Sequence, residues 1–551
     1  MKYIAVVLPQ FYKGGVLRGI ISFLQKLQCV HKKEFHFTFY ILSAKEYEEE
    51  IKELENIGIE TKEFSWRLIK QFHPKSYYQY KTAPDIDNNK IDYYLFFTDR
   101  IDWPLALNKP YGVVIYDYIQ RYVPEIFDNL DVGSYWKLQN KFFNIAKNAS
   151  NVFCTTKATY DDIINFAGVD KNKVQLLPID YSIPSNNTNK TKIVDSKYIF
   201  WPTNSTIHKN HKNILLGLFQ YWKNNKNGLS AIISGVNTHK LNPNWQKSEK
   251  DSFDHPYFES IRSLIRNCGF EDKITFIGYA DEEDYHHYLR NASFMLHGNL
   301  ADNGTYNVID STFYGVPCLV TDYPAMRYVD NYFDLDMTFM KPKDPDDICA
   351  KLLYMEENLT ELKTKIETKN QHIAKVAQYD INIFLNTIAS MSKDNLVSQI
   401  KSFFTHNNSH FRLSNFRNKS NDQIEYLKGF NKEGISYILY IADIKQMLSF
   451  IKAYTILLRE MYIPCKLFIV GKSNDESLKL IFDILFVKES LLTKDIIAKA
   501  LLVVQSDEQS LMPSLNYPES TCLKVENDSK VIANKLYDKI TCSHKIEKIK
   551  Q

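Results

Sequence analysis

Long apolar runs are missing from this chain: nowhere in its 551 residues is there the ~18–20-residue apolar stretch of a membrane-spanning helix. The opening Met-Lys-Tyr-Ile-Ala-Val-Val-Leu-Pro is too short for a signal-peptide core and is broken by Pro9 and Gln10. Cysteine is sparse. The eight cysteines, at 29, 154, 268, 318, 349, 465, 522 and 542, form no C-x-x-C pair, which speaks against a disulfide framework or a zinc site and fits a reducing compartment. No charge of one sign dominates either: 68 basic against 65 acidic residues leave a net charge of +3, unlike a general nucleic-acid binder. These absences lead us to expect a cytoplasmic protein without a zinc site or a nucleic-acid partner; no cofactor is expected either. Its contact with a membrane, if any, is expected to be peripheral and on the cytoplasmic face.

What is present is ordinary globular material, 44% apolar and 24% charged, long enough for about three domains. The β-branched run at 3–8, a glycine loop at Gly14-Gly15 and an apolar-periodic segment from Val16 to Gln28 read as strand, turn and helix, the opening of a βαβ unit. Strands are expected again at 37–42, 93–97, 112–116 and 151–155, giving an α/β fold with a largely parallel sheet. A polar, aperiodic stretch at 181–192 reads as a linker. A second α/β series follows, with strands at 198–201, 230–234, 274–277, 293–296 and 318–321. Several of them end in glycine or polar residues, where open parallel sheets bind ligands. A helix near 379–391 and a basic-aromatic stretch at 402–422, most simply a connector, lead to a third strand–helix–strand rhythm over 435–545, read as a partial Rossmann-like half without a motif.

Residues 293–327 carry the densest chemistry: Asp302-Asn303-Gly304-Thr305, then Asp310, then Gly315-Val316-Pro317. A loop with small residues after an acid, running into a helix, offers free backbone N–H groups to an anion. Asp302 and Asp310 lie eight residues apart, with Asp302 in the loop and Asp310 one or two turns into the helix, so both can face one elongated ligand.

These residues resemble the GT-B glycosyltransferases of retaining family four (glycosyl transferases group 1). There an acid, a glycine-containing loop, a second acid and Gly-x-Pro recur in this order, and Asp302, Asp310, Gly315 and Pro317 fall on those positions. The sequence departs in using Asp for Glu at both acids. Ile274 to Tyr279 resembles the family's base-binding strand and turn, and Lys209 in His208-Lys209-Asn210-His211 resembles the lysine that contacts the donor diphosphate. An arginine common six residues earlier is replaced by Thr203. In the N-terminal half Gly14-Gly15 matches the family's glycine turn, and Asp117 follows a strand that usually ends in His-Asp, with Tyr116 in place of the His.

The resemblance covers about residues 1–390. It implies two facing Rossmann-like domains, an acceptor-side domain at 1–185 and a nucleotide-sugar-binding domain at 193–395, followed by an accessory α/β region at 425–551. It also implies metal-independent, retaining transfer of a sugar from a nucleotide-sugar to a glycan or lipid-linked glycan, as in surface polysaccharide or lipopolysaccharide synthesis. Catalytic roles then fall to Asp302, positioning the donor sugar, and Asp117, on the acceptor side. Donor binding falls to Gly15, Lys209, Tyr279, Asn303, Gly304, Thr305 and, at the ribose, Asp310.

Blander readings compete at other positions. Asp85-x-Asp87 mimics a metal-binding pair but lacks supporting sequence, and His208-x-x-His211 has no third ligand. Two other functions remain open at this stage. One is a nucleotide-sugar epimerase or phosphorylase on the same fold, although no pyridoxal-binding lysine stands out. The other is a non-catalytic, degenerate transferase serving as a scaffold for a partner enzyme.

Overall fold

We describe the protein from a computed structural model. The structure describes all residues but 12–14, 31–33, 74–75, 88, 102, 104, 108, 128–131, 184–196, 248–253, 304–305, 379–380, 390–436, 442–443, 464, 471–483, 488–501, 506–521, 525–528 and 543–551. Most of the expected linker, the 402–422 stretch, Gly14, Gly304 and Thr305 therefore lie outside the described residues. Two compact units emerge. One comprises Met1–Thr155, Thr159–Leu177 and Ile381–Gln551, the other Thr156–Ala158 and Pro178–Asp380.

The first unit begins with a seven-stranded parallel sheet. Its strands are β1 (Lys2–Val7), β2 (Phe35–Ile41), β3 (Glu60–Glu63), β6 (Tyr93–Phe96), β7 (Tyr111–Val114), β8 (Asn151–Cys154) and β9 (Val174–Leu176), in the order β3-β2-β1-β6-β7-β8-β9. Between β3 and β6 an antiparallel hairpin of β4 (Arg67–His73) and β5 (Ser76–Thr82) interrupts the βα rhythm. The central strands are buried along almost their whole length, which accounts for their unbroken apolar sequences. The helix Gly15–Val30 buries Leu17, Ile20, Ile21, Leu24 and Leu27, the 3.6-period stripe visible in the sequence.

The helix Asn382–Ala389 belongs to this first unit, although the sequence reading assigned residues up to 395 to the second domain. Packing decides its place. Phe384, Leu385 and Ile388 are buried, Phe384 stands edge-on to Phe23 at 4.9 Å and lies 5.1 Å from Phe153, and Thr387 Oγ1 donates to Gln175 Oε1 at 2.8 Å.

The C-terminal region, expected as a partial Rossmann-like half, is a five-stranded parallel sheet. It comprises β16 (Tyr437–Ile441), β17 (Lys466–Val470), β18 (Ile484–Val487), β19 (Leu502–Gln505) and β20 (Cys522–Lys524), in the order β18-β17-β16-β19-β20. The helices Ile444–Arg459 and Ser529–Cys542 share a core with it through Phe450, Tyr454, Leu457, Ile532 and Leu536. Sequence periodicity missed β18 and β20, which are only four and three residues long.

The second unit is a six-stranded parallel sheet. Its strands are β10 (Tyr198–Pro202), β11 (Ser230–Ser234), β12 (Ile274–Gly278), β13 (Phe294–His297), β14 (Cys318–Thr321) and β15 (Thr338–Met340), ordered β12-β11-β10-β13-β14-β15. This is the doubly wound Rossmann order, in which the winding reverses between β10 and β13. The helix His211–Asn224 lies tight against Pro345–Glu357: a Cβ on Gly217 would stand 2.3 Å from Ile348 Cγ2.

At the carboxyl ends of β10–β12 the backbones are tied together. Thr203 N donates to Ser234 O at 2.7 Å, and Gly235 N donates to Gly278 O at 2.6 Å. Gly235 has φ +139°, and a Cβ there would sit 1.5 Å from Thr203 O. Both the backbone conformation and the space require glycine. Gly235→Ala is therefore expected to cost at least about 3 kcal/mol and to lower the melting temperature by about 5 °C or more. Differential scanning calorimetry of the full chain checks this, and an unchanged transition would remove the argument.

Candidate functional site

In a doubly wound sheet the loops leaving the two strands at the winding reversal part in opposite directions and open a crevice. In the second unit those loops are 203–210, after β10, and 298–303, after β13. Each contributes one charged group. Lys209 sits in a one-turn 3-10 segment, Ile207–Lys209, and Asn210 follows in the left-handed conformation (φ 62°) before the helix begins at His211. The left-handed Asn210 separates the lysine from the helix that begins at His211. Asp302 comes from the loop after β13. Its Oδ2 receives Lys209 Nζ at 2.8 Å and Asn299 Nδ2 at 2.7 Å, and its Oδ1 receives the Asn303 N–H at 2.8 Å.

The surroundings hold this pair tightly. Leu300 N donates to His208 O at 2.8 Å, and Thr321 Oγ1 donates to Asn299 O at 2.6 Å. A Cβ on Gly298 would stand 2.6 Å from Ile214 Cγ1, so the loop after β13 lies directly against the segment that carries Lys209. Burial by itself would raise the Asp302 carboxyl. The Lys209 charge, with His208 and His297 behind it, outweighs that and holds Asp302 well below the usual carboxylate range. His297 and His211 move the other way: burial first, and Lys209 second, push each imidazole down to about 3. Both are neutral at physiological pH, and the Lys209 ammonium contacts Asp302 directly.

The other sequence-assigned residues of this unit are placed as follows. Asn303 follows Asp302 directly, and its Oδ1 accepts from Thr156 Oγ1 at 3.0 Å. Tyr279 follows β12 and the left-handed Gly278, and its side chain is 65% exposed, an aromatic face open to solvent at the edge of the carboxyl ends. Asp310 is the fifth residue of the helix Tyr306–Phe313 and is fully buried. Its Oδ1 accepts from Tyr181 at 2.7 Å and its Oδ2 from Tyr285 at 3.3 Å. The spacing of the two acids suggested that both face one ligand; only Asp302 keeps partial exposure (17%), while Asp310 points inward at two phenols.

In the first unit Gly15 is the exposed first residue of the helix after β1. Asp117 lies beyond β7, where its Oδ1 accepts from Arg100 Nη2 at 2.7 Å and the Ile119 N–H at 3.3 Å. Beside it the buried Asp99 accepts from Tyr118 Oη at 2.6 Å. Burial, reinforced by the Asp117 charge, pushes Asp99 up to about 6, against the opposing pull of Tyr118 and Arg100. Asp117 thus belongs to a carboxylate–guanidinium cluster that also contains Asp99, at the carboxyl ends of β6 and β7.

The two metal-like patterns are structural. Asp85 Oδ2 caps Ser65, accepting from its N–H and hydroxyl at 2.8 Å each, and Asp87 accepts from Tyr94. His208 Nδ1 pairs with Thr206 at 3.1 Å and His211 Nδ1 with Tyr257 at 2.9 Å, so the two imidazoles have separate partners. Among the described residues no group of three or more His, Cys, Asp or Glu side chains is disposed to hold a metal. Sequence reasoning missed Asn299, His297, Arg100, Tyr181 and Tyr285. Asn299 had a faint signal, three residues before Asp302, whereas Arg100 and Tyr181 reach their acids only through the fold.

Residues 185–372 match the family model described as Glycosyl transferases group 1, a span lying within the Pro178–Asp380 segment of the second unit. The matched span encloses the Lys209–Asp302 pair. No curated protein matches the sequence significantly. Among solved structures, the fold is similar to HepE from Anabaena in complex with UDP and glucose, at 13% identity over 71% of this chain and 100% of that one (TM-score 0.49). It is similar to a glycosyltransferase from Rickettsia africae at 14% identity over 71% and 99% (TM-score 0.47). A third is WaaG, a glycosyltransferase involved in lipopolysaccharide biosynthesis, at 12% identity over 69% and 96% (TM-score 0.44).

The raised Asp99 makes a signed prediction. A carboxyl whose folded-state value lies above its unfolded value of about 3.8 stabilises the fold below that value, and the contribution is lost as pH rises through about 6. Wild type should therefore lose stability relative to Asp99→Asn between about pH 4 and pH 6. Parallel curves from chemical denaturation at several pH values would refute this.

Proposed function

We propose that the protein is a glycosyltransferase that moves a sugar from a nucleotide-sugar donor to a glycan or lipid-linked glycan acceptor. The reading includes retention of configuration, no metal, and a place in surface polysaccharide synthesis. The observation that carries it is the Lys209–Asp302 pair, supplied by the two loops at the winding reversal of a parallel sheet within the group 1 domain. Glycosyl transfer from a nucleoside diphosphate sugar develops negative charge on the departing diphosphate. A fixed ammonium in a site largely screened from water stabilises that charge where it forms.

Lys209 supplies this ammonium. Asp302 engages one of its three protons and aims the rest. A carboxylate offers about four acceptor positions. Lys209, Asn299 and the Asn303 N–H use three of those on Asp302, leaving room for one sugar hydroxyl. Tyr279 offers its exposed ring to the base. The buried Asp310 acts behind Tyr285 in this reading. Asp117, held by Arg100, serves the acceptor side.

A thermal-shift series with UDP, GDP, ADP and CMP and their sugar conjugates, without added metal, tests this. One nucleotide at ~100 times its dissociation constant should stabilise wild type by about 2.7 kcal/mol. The shift should vanish in Lys209→Ala, measured against that variant's own unliganded transition. Asp302→Asn should lower transfer on the order of 100-fold or more. No shift with any nucleotide would overturn the donor reading and favour a scaffold instead.

A further inference from the structure

Sequence gave no role to the C-terminal sheet, yet it touches one place of functional interest within the first unit. The loop after β7 carries Asp117 and runs through two short 3-10 segments, Ile119–Arg121 and Pro124–Phe127. Its first end is fixed by Asp117 Oδ1, which accepts both the Ile119 N–H and Arg100. Its middle is fixed by a buried ion pair: Arg121 Nη1 donates to Asp162 Oδ1 at 2.8 Å, and Tyr122 Oη donates to the same oxygen at 2.7 Å.

The C-terminal sheet meets this segment from outside. Tyr122 packs on its hydrophobic core, and its ring lies 6.0 Å from that of Tyr462. Arg459, the last residue of the helix Ile444–Arg459, donates to Glu125 Oε1 at 3.0 Å. Lys466, the first residue of β17, is 1% exposed and points its ammonium at the Phe166 ring, 5.7 Å from the centroid. The Arg121 guanidinium stands over the same ring at 5.3 Å, so Phe166 is shared by a cation from the loop and one from the C-terminal sheet.

Two of these features are costly by themselves. A lysine that is nearly inaccessible to water carries a desolvation cost that its neighbours must offset. Tyr462 holds a left-handed backbone (φ 51°), a conformation unusual for a bulky residue and retained only where the surroundings over-determine it. Both lie where the C-terminal sheet faces the loop.

We propose that the C-terminal sheet acts as a brace that sets the conformation of the 117–127 loop, with Arg459, Tyr462 and Lys466 as positioning residues for Asp117 in the transfer reaction. This rests on the donor reading above. The brace works through contacts at Tyr122 and Glu125, five and eight residues beyond Asp117.

The test uses the full chain in four forms: wild type, Arg459→Ala with Tyr462→Ala, Arg459→Glu, and the exchanged pair Glu125→Arg with Arg459→Glu. Amide hydrogen exchange reads the loop directly. Exchange over 117–127 should quicken at least 10-fold in the first two variants, return toward wild type in the exchanged pair, and stay unchanged over 198–340. Hydrolysis of the nucleotide-sugar that stabilises wild type, with water as acceptor, gives the second readout. Its kcat should fall about 10-fold in the first two variants with the donor KM unchanged, and recover in the exchanged pair.

Unchanged exchange over 117–127 would overturn the brace. Faster exchange with an unchanged kcat would overturn its role in positioning Asp117. Failure of wild type to bind any nucleotide would instead overturn the donor reading, and the catalytic role of the brace with it.

Discussion

One ion pair organises the second unit. Lys209 and Asp302 lie 93 positions apart in sequence and meet at 2.8 Å because the loops that carry them leave neighbouring strands at the point where the winding reverses. Nearby groups are arranged to suit that contact. Asn299 and the Asn303 N–H orient the carboxylate, Gly298 lets one loop lie against the other, and two imidazoles stay neutral so that the lysine charge is not repelled. Removing either partner would leave a partly buried charge without its counter-ion, which is far more costly than losing a pair exposed to water. The same constraint pre-organises a cation for an anionic ligand without further rearrangement.

The pattern of strands and helices was largely legible in the sequence. Buried parallel strands are read from unbroken apolar runs, and β11 and β14 begin and end where the sequence places them. The strands β18 and β20 were not read from the sequence, and the β4–β5 hairpin breaks the βα alternation that the reading relied on. The helix Asn382–Ala389 was seen as a helix but given to the wrong unit, since periodicity identifies an amphipathic face and not the surface it will meet.

The site was legible to the extent that its chemistry is local. Asp302, Asn303 and Lys209 stand in recognisable segments and converge. Asp310 stands in one too, but the fold turns it onto Tyr181, 129 positions away, and onto Tyr285. The aspartate is one methylene shorter than the expected glutamate, and the two phenols occupy its oxygens. Arg100 as the partner of Asp117 could not be read at all, because nothing in the residues around either one announces the contact.

The return of residues 381–389 to the first unit has a consequence for the order in which the protein is made. The second unit is continuous in sequence over Pro178–Asp380, with only Thr156–Ala158 added from upstream, whereas the first unit lacks Phe384, Leu385 and Ile388 until that whole span has been synthesised. Domains fold as units once their chain is available. On the ribosome the part of the chain that starts first is therefore the part that finishes last, its Phe23 and Phe153 waiting for Phe384 while the later-encoded unit already has its complete core.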